Sequence, residues 1–233
     1  MRNLKRTLSL ALASVMLVGM MSVGASAVNA SDFTDADEIV NKDAVSTMTA
    51  LGIINGKEDG SYFDPTGTVT RAEMAKMLCV AINGGVDPVL GVKDTPTFTD
   101  IKGHWAESYI EYCAANGIIA GRGNNKFDPT GTVSATEAAK MLLGVLGYNA
   151  EKSGLVGNDW AINTNVLANQ NGLYKNLANL NANTLLTRDN AAQMIYNALD
   201  ANMVELNAAG NYTTSQYSYT GTESVVTGTE RVW

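Results

Sequence analysis

The heptapeptide Phe-Asp-Pro-Thr-Gly-Thr-Val occupies residues 63–69 and recurs without a change at residues 127–133. Matching motifs precede both copies: Phe-Thr-Asp stands at residues 33–35 and 98–100, and Gly-Ile-Ile-x-Gly begins at Gly52 and again at Gly117. The second copy lacks one residue of the loop between these motifs. Self-similarity at this spacing indicates a structural repeat rather than a chance motif.

A third and more diverged copy follows the first two. Trp160 and Ala161 correspond to an earlier Trp-Ala pair at residues 105–106, and Asn-Gly-Leu at 171–173 corresponds to Asn-Gly-Ile at 116–118. Leu-Thr-Arg at residues 186–188 corresponds to Val-Thr-Arg at 69–71. Three copies therefore account for most of the chain beyond its N-terminal segment.

Each copy is predicted to form a helix, a loop and a second helix. Amphipathic segments at residues 40–51, 105–116 and 160–171 each run into a glycine, which is typical of a helix C-terminus. The loops are rich in Gly, Asn, Asp and Pro. Capping boxes, Thr-Arg-Ala-Glu from Thr70 and Ser-Ala-Thr-Glu from Ser134, predict where the second helices begin. The third helix start, at Thr187, keeps the cap but lacks the glutamate.

A helix-loop-helix of this size cannot bury its apolar face alone, but three copies can share one core. We therefore predict a mainly α fold whose repeats span residues 31–84, 95–150 and 151–203. Residues 204–233 are rich in Thr, Ser, Tyr, Gly and Val. This composition favours a linker or the start of a further β-rich segment.

Charge and composition exclude several classes of function. The chain has 23 acidic and 16 basic residues, so nucleic acid binding by phosphate neutralisation is not expected. One histidine and two cysteines are too few for a zinc site or a thiol enzyme, and we predict no catalytic residue, metal or cofactor. Cys79 and Cys113 lie in apolar, helix-like segments, so we expect buried free thiols, with a disulfide as the alternative.

The N-terminus has the pattern of a secretory signal peptide. Residues 1–27 combine a basic start, an apolar stretch and an Ala-Ser-Ala cleavage signal, with a second candidate signal ending at Ala30. A retained membrane anchor is the alternative, but the apolar run is shorter than the roughly 20 residues that a spanning helix needs. We expect cleavage, no stable membrane insertion afterwards, and a mature protein outside the cytoplasmic membrane.

Taken in register, these motifs resemble the S-layer homology (SLH) domain in a set of three, over about residues 31–203. They comprise Phe-x-Asp, Gly-His-Trp-Ala at residues 103–106, Gly-Ile-Ile-x-Gly, Phe-x-Pro and Thr-Arg-Ala-Glu. The resemblance implies a three-pronged helical bundle with pseudo-threefold symmetry. It also implies a non-enzymatic module that holds exported proteins on the cell wall, in many Gram-positive bacteria by binding pyruvylated secondary cell-wall polysaccharide between the prongs.

The chain departs from the SLH pattern in each copy. Val40 or a neighbour stands where the first copy would have its tryptophan, and Ala135 replaces the motif arginine in the second. The third copy has lost Phe-x-Pro. We therefore expect at least one degenerate groove.

Eight residues are the candidates for polysaccharide binding. Arg71 and Arg188 occupy the first helical position, where an arginine could join free backbone amides in gripping a carboxylate; a salt bridge to a neighbouring acidic residue is the alternative. The tryptophans are expected to stack on a sugar or to plug the core, the glycines to adopt backbone conformations closed to other residues, and the loop cations to make secondary contacts or stay solvated. These six residues are Trp105, Trp160, Gly56, Gly121, Arg122 and Lys126.

The sequence thus favours a secreted protein anchored at the cell surface through a peptidoglycan-linked polysaccharide. A structural S-layer subunit that self-associates in a surface layer is the alternative. A secreted glycan-processing enzyme is less favoured, because Glu73 and Glu137 are explained as helix caps and no second carboxylate accompanies either.

Overall fold

The computed structural model of the chain describes residues 28–177, 180, 181, 183–217 and 225–226. The predicted signal peptide at residues 1–27 lies outside the described residues. Across the described ranges, no helix has both the length and the apolar character needed to span a membrane.

Among the residues that the structure describes, six α-helices dominate, and the predicted mainly α fold is confirmed. Each copy contributes two of them, and two short 3-10 turns, Ala30–Asp32 and Ala36–Glu38, precede the first. The helices are α1 (Lys42–Ala50), α2 (Arg71–Ile82), α3 (Glu107–Ala115), α4 (Ala135–Val145), α5 (Trp160–Gln170) and α6 (Arg188–Leu199).

The helix ends follow the local signals in the sequence. The chain leaves α1, α3 and α5 through Gly52, Gly117 and Gly172, whose φ angles of 69°, 71° and 70° are accessible to glycine at little cost. At the start of α2, the Thr70 hydroxyl accepts from the Glu73 amide at 3.2 Å, and the Glu73 carboxylate accepts from the Thr70 amide at 2.7 Å. The same reciprocal pair opens α4, whereas α6 has only the one-way cap.

Helices pair between copies rather than within them. The second helix of each copy packs against the first helix of the next, so α2 lies on α3 and α4 lies on α5. The last helix, α6, returns to pack on α1. We call these pairs prong 1 (α2 and α3), prong 2 (α4 and α5) and prong 3 (α6 and α1). The arrangement closes the three copies into a ring.

Three buried residues join the prongs at the centre. The Val69 amide donates to the Leu186 carbonyl at 2.9 Å, the Leu186 amide to the Val133 carbonyl at 2.8 Å, and the Val133 amide to the Val69 carbonyl at 2.9 Å. All three side chains are fully buried. Each copy thus gives one hydrogen bond and receives one, which is the pseudo-threefold relation expected of equivalent repeats.

A β-hairpin follows the last helix. Strand β1 (Met203–Leu206) pairs antiparallel with β2 (Tyr212–Tyr217), which pairs with β3 (Val225–Val226). The Val204 amide donates to the Leu146 carbonyl at 2.8 Å, which fixes the hairpin to the end of prong 2. The strand composition seen in the sequence therefore corresponds to strands in the described part of this segment.

Candidate functional site

A groove beside prong 1 is assembled from all three copies. It encloses about 420 Å³ and takes Arg188 from the third copy, Glu73 and Lys76 from the first, and Trp105 from the second. Asp87, in the loop after α2, also lines it. We call this space groove 1. Residues far apart in the sequence meet here because the prongs pair helices of different copies.

Arg188 forms the floor of groove 1 and is only 6% exposed. Its Nε donates to the Phe63 carbonyl at 2.7 Å, and its Nη2 donates to the Asn55 carbonyl at 2.8 Å. The guanidinium also lies 5.0 Å from the centre of the Phe63 ring. Burial lowers the pKa of Arg188 from its ordinary value, while the charges of nearby carboxylates, Glu73 first, oppose this shift. Within the described part of the chain, Nη1 has no hydrogen-bond partner, so one face of a buried cation remains available.

The rim of groove 1 carries an ion pair and aromatic side chains. Lys76 pairs with Asp87 at 3.0 Å, and the Tyr109 hydroxyl donates to the same carboxylate at 2.6 Å. Trp105 is 57% exposed, with its ring 6.4 Å from that of Tyr109. An exposed indole held beside an ion pair offers an apolar stacking surface next to polar groups.

The equivalent positions beside prong 2 place Arg71 where Arg188 lies in groove 1, and we call this set of positions groove 2. This side chain is 3% exposed and repeats the contacts of Arg188: Nε donates to the Phe127 carbonyl at 2.8 Å and Nη2 to the Ala120 carbonyl at 2.7 Å. It differs at Nη1, which lies 3.6 Å from the Glu137 carboxylate. The salt-bridge alternative raised for the arginines thus applies to Arg71.

Lys140 and Trp160 complete groove 2. The Lys140 ammonium lies over the Trp160 ring, 5.1 Å from its centre. Burial lowers the pKa of Lys140, and the positive charge of Arg71 lowers it further.

The third set of equivalent positions carries none of these features. Ala135 replaces the floor arginine, Gln193 replaces the rim lysine, and Val40, which is 82% exposed, replaces the tryptophan. Here α1 and α6 are joined instead by Asn41, whose Nδ2 donates to the Asp189 carboxylate at 2.6 Å. This groove 3 matches the expected degenerate groove in its composition.

The expectation that free helix amides assist the arginines is wrong. The Arg71 amide donates to the Gly131 carbonyl and the Ala72 amide to the Pro129 carbonyl, at 2.8 and 3.0 Å. Likewise, the Arg188 amide donates to the Gly67 carbonyl at 2.8 Å, and the next amide donates to a proline carbonyl at 3.2 Å. The third amide of each helix goes to its cap. Carbonyls of the repeated Pro-Thr-Gly loops therefore occupy the amides at these helix ends. An anion bound near them would have to be held by side chains.

The expected special backbone conformation of Gly56 and Gly121 is also wrong, because neither glycine has a positive φ. Space restricts them instead. A Cβ on Gly56 would lie 2.3 Å from the Gly60 carbonyl oxygen, and one on Gly121 would lie 2.7 Å from the Lys126 oxygen and 2.8 Å from the Phe98 ring. Both glycines let their loops close, and Gly56 directly follows Asn55, whose carbonyl accepts from Arg188.

The two loop cations differ in their surroundings. Arg122 donates to the carboxylates of Asp128 and Glu137, both at 2.7 Å, and to the Thr132 carbonyl at 3.1 Å. It therefore fixes Glu137 beside Arg71. Lys126 is exposed, and its backbone pairs with Arg122 in the loop.

Sequence reasoning missed the two rim lysines. Lys76 and Lys140 each stand three residues after the glutamate of a capping box, in Thr-Arg-Ala-Glu-Met-Ala-Lys and Ser-Ala-Thr-Glu-Ala-Ala-Lys. The third copy has Gln193 at this position. A lysine shared by the two better preserved copies and absent from the third was a usable signal, but only the structure shows it at a groove.

Comparison with known proteins finds a match to a known family within each of the first two copies. Residues 32–75 and 97–139 match the model of the S-layer homology domain, and the third copy lies outside the matched segments.

Several relatives carry surface-protein names. The chain is 28% identical over 207 residues to "Cell surface protein" of Thermoanaerobacter kivui, covering 88% of this chain and 26% of the relative. It is 32% identical over 111 residues to "S-layer protein" of Bacillus licheniformis, covering 48% and 12%. It is 28% identical over 156 residues to "Exoglucanase XynX" of Acetivibrio thermocellus, covering 63% and 14%. The chain therefore spans about a quarter or less of the length of these relatives.

Proposed function

We propose that this chain anchors a surface protein to the bacterial cell wall by holding an anionic, pyruvylated secondary cell-wall polysaccharide in grooves 1 and 2. The observation that carries the proposal is the joining of Arg188, Lys76 and Trp105, one from each copy, around groove 1. The matched SLH segments and the names of the relatives support a cell-surface location.

The chemistry of groove 1 suits a sugar that carries a carboxylate. Arg188 would offer Nη1 as a charge-assisted donor from a position of little mobility, because its other nitrogens are fixed to carbonyls. Lys76 would add a second cation and Trp105 an apolar face for the sugar ring. Because the Arg188 side chain is already fixed, binding an anion to it costs less conformational entropy than binding one to a flexible surface cation.

Two grooves on one rigid body favour a polymer over a single sugar. Once one groove has bound the polysaccharide, the other groove meets further segments of the same polysaccharide at a high effective concentration. The formal net charge is −7, so the surface as a whole does not attract an anionic polymer. Binding should therefore depend on the local cations of the two grooves and weaken with salt.

A structural S-layer subunit is the second candidate, because relatives from Bacillus licheniformis and Bacillus anthracis are named as S-layer proteins. In that role the chain would also associate with copies of itself in a Gram-positive type of surface layer. We assign no catalytic role to Glu73 or Glu137, because both carboxylates are engaged at helix caps.

The test is co-sedimentation of the purified chain with cell-wall sacculi, before and after chemical removal of the secondary polysaccharide. We expect binding only to sacculi that retain the polymer. Trp105→Ala and Lys76→Ala in groove 1, or Trp160→Ala and Lys140→Ala in groove 2, should each weaken binding by about tenfold, equivalent to the loss of ~1.4 kcal/mol. Combining Lys76→Ala with Lys140→Ala should weaken it by about a hundredfold, because losses at two separate grooves add.

Val40→Ala is the matched control, since Val40 occupies the tryptophan position of groove 3 and is well exposed. This variant should bind like the parent chain. Equal binding to stripped sacculi would contradict the proposal. Ordered sheets of the isolated chain in electron micrographs, without any sedimentation, would favour the lattice role instead.

A further inference from the structure

Two cysteine sulfurs from different copies are in contact inside prong 1. Cys79 on α2 and Cys113 on α3 place their Sγ atoms 3.4 Å apart. The structure has both residues as thiols, and both are buried, as expected from the sequence, with 1% and 0% exposure. Their sulfurs also lie 3.6 Å from the Tyr109 carbonyl oxygen and 3.7 Å from the Ala75 carbonyl oxygen.

Packing alone does not explain this pair. Prong 2 places Leu143 and Ala168 at the equivalent positions, and both are fully buried. A large and a small apolar side chain therefore fill this interface without sulfur. The cysteines of prong 1 bring two reactive groups together where the fold accepts ordinary hydrophobic residues.

We propose that Cys79 and Cys113 are a disulfide site that joins the first copy to the second. The sulfurs need to approach by a little over 1 Å to reach the S–S bond length of about 2.05 Å. The proposal rests on the export that the proposed function requires, because a reducing cytoplasm would keep both thiols free.

The oxidant is a disulfide donor, either a small-molecule disulfide or a thiol-disulfide oxidoreductase. One cysteine thiolate attacks a donor sulfur, forms a mixed disulfide and expels one donor thiolate. The second cysteine thiolate then attacks its partner's sulfur and expels the other. One S–S bond is broken and one formed, and the donor takes up two electrons and, as two thiols, the two protons that the cysteines lose.

The surroundings of the two cysteines indicate that this exchange takes place during folding, before α2 and α3 pack together in prong 1. The hydrogen bond between the two thiols and their burial raise the pKa of the Cys113 thiol well above its ordinary range. The Cys113 thiol is therefore rarely ionised in the folded interior, and the burial of both sulfurs excludes a donor. Oxidation during folding outside the membrane would meet neither barrier, and the finished bond would be protected from reduction.

The bond would fix the two helices that carry the rim of groove 1. Lys76 is on α2, one turn before Cys79, and Trp105 lies two residues before the start of α3. Crosslinking residues 79 and 113 reduces the freedom of the unfolded chain and so stabilises the folded one.

The experiment compares two refolding reactions of the full chain, one with a mixture of reduced and oxidised glutathione and one with excess dithiothreitol. Refolding with glutathione should leave no thiol open to alkylation under denaturing conditions. The intact monomer should be lighter by two hydrogen atoms and carry no glutathione, and its midpoint of thermal unfolding should lie several degrees above that of the reduced chain.

The double variant with Cys79→Leu and Cys113→Ala copies prong 2 and is the matched control. Its unfolding midpoint should be the same in both reactions. Two free thiols, a glutathione adduct, only intermolecular dimers, or a crosslinked monomer with an unchanged or lower midpoint would overturn the proposal. These readouts do not involve polysaccharide, so failure of the anchor and failure of the disulfide are distinguishable.

Discussion

The backbone amide of Val69, in the first copy, donates to the carbonyl of Leu186, in the third, at 2.9 Å. Together with the matching bonds of Val133, it closes a ring in which every copy depends on both of the others. The pairing of α6 with α1 has the same consequence, because the first helix of the chain finds its partner only when the last copy is present.

A chain that ends at residue 158 should therefore fail to fold as a stable unit. The truncation removes Leu186, Arg188 and helix α6, and it exposes the buried face of α1. We expect reduced helix content by circular dichroism and no cooperative thermal transition, whereas the full chain should give one transition by both dichroism and tryptophan fluorescence. A truncated chain that melts cooperatively would show that the copies fold separately.

Gly121→Ala should destabilise the fold through a steric clash. The new Cβ would meet the Lys126 carbonyl oxygen and the Phe98 ring, at 2.7 and 2.8 Å, and relieving such overpacking costs about 1–3 kcal/mol. Urea unfolding measures the loss. Gly91→Ala is the matched control, because Gly91 lacks a positive φ and its Cβ would meet nothing within 4 Å. Similar midpoints for the two variants would contradict this account of the loop.

The helix caps of the three copies should contribute different amounts to the free energy of unfolding. Thr70→Ala and Ser134→Ala each remove a hydroxyl from a reciprocal capping box and should lower the free energy of unfolding by ~1 kcal/mol. Thr187→Ala removes a one-way cap and should cost less. Denaturant midpoints give the comparison, with the exposed Thr130→Ala as the control. A larger loss at Thr187 than at Thr70 would contradict the ranking.

Alkaline pH should destabilise the protein through two tyrosines. The hydrogen bond to Asp87 raises the pKa of Tyr109 to about 12, and burial raises that of Tyr174 to about 12. Since both values lie above the ordinary 10.0, the fold favours the protonated phenols. Their stabilisation is fully present below pH 10 and is lost as the pH rises from 10 towards 12.

Unfolding midpoints measured across that range, together with tyrosinate absorbance, test this pH dependence. Asp87→Asn removes the charge beside Tyr109 and should bring the titration of this tyrosine closer to its ordinary value. Stability that stays constant to pH 12 in the parent chain would show that these phenols are not coupled to folding.

Local features of the sequence determined the elements and their ends. A capping hydroxyl, its glutamate and the glycine that ends a helix act on neighbouring backbone groups, so a few adjacent residues are enough to predict α2, α4 and the ends of the first helices. The repeat of residues 63–69 at 127–133 determined that these elements recur as equivalent units. The burial of Cys79 and Cys113 followed from their apolar neighbours.

Only the tertiary structure decided which residues meet. The sequence placed Arg188 at a helix start, but its partners are the carbonyls of Phe63 and Asn55, more than a hundred positions away. It also could not show that carbonyls of the neighbouring loops occupy the helix amides, or that Lys76 and Trp105 share a groove. These relations arise from pairing between copies, and local propensity carries no information about them because the contacts form between segments distant in the chain.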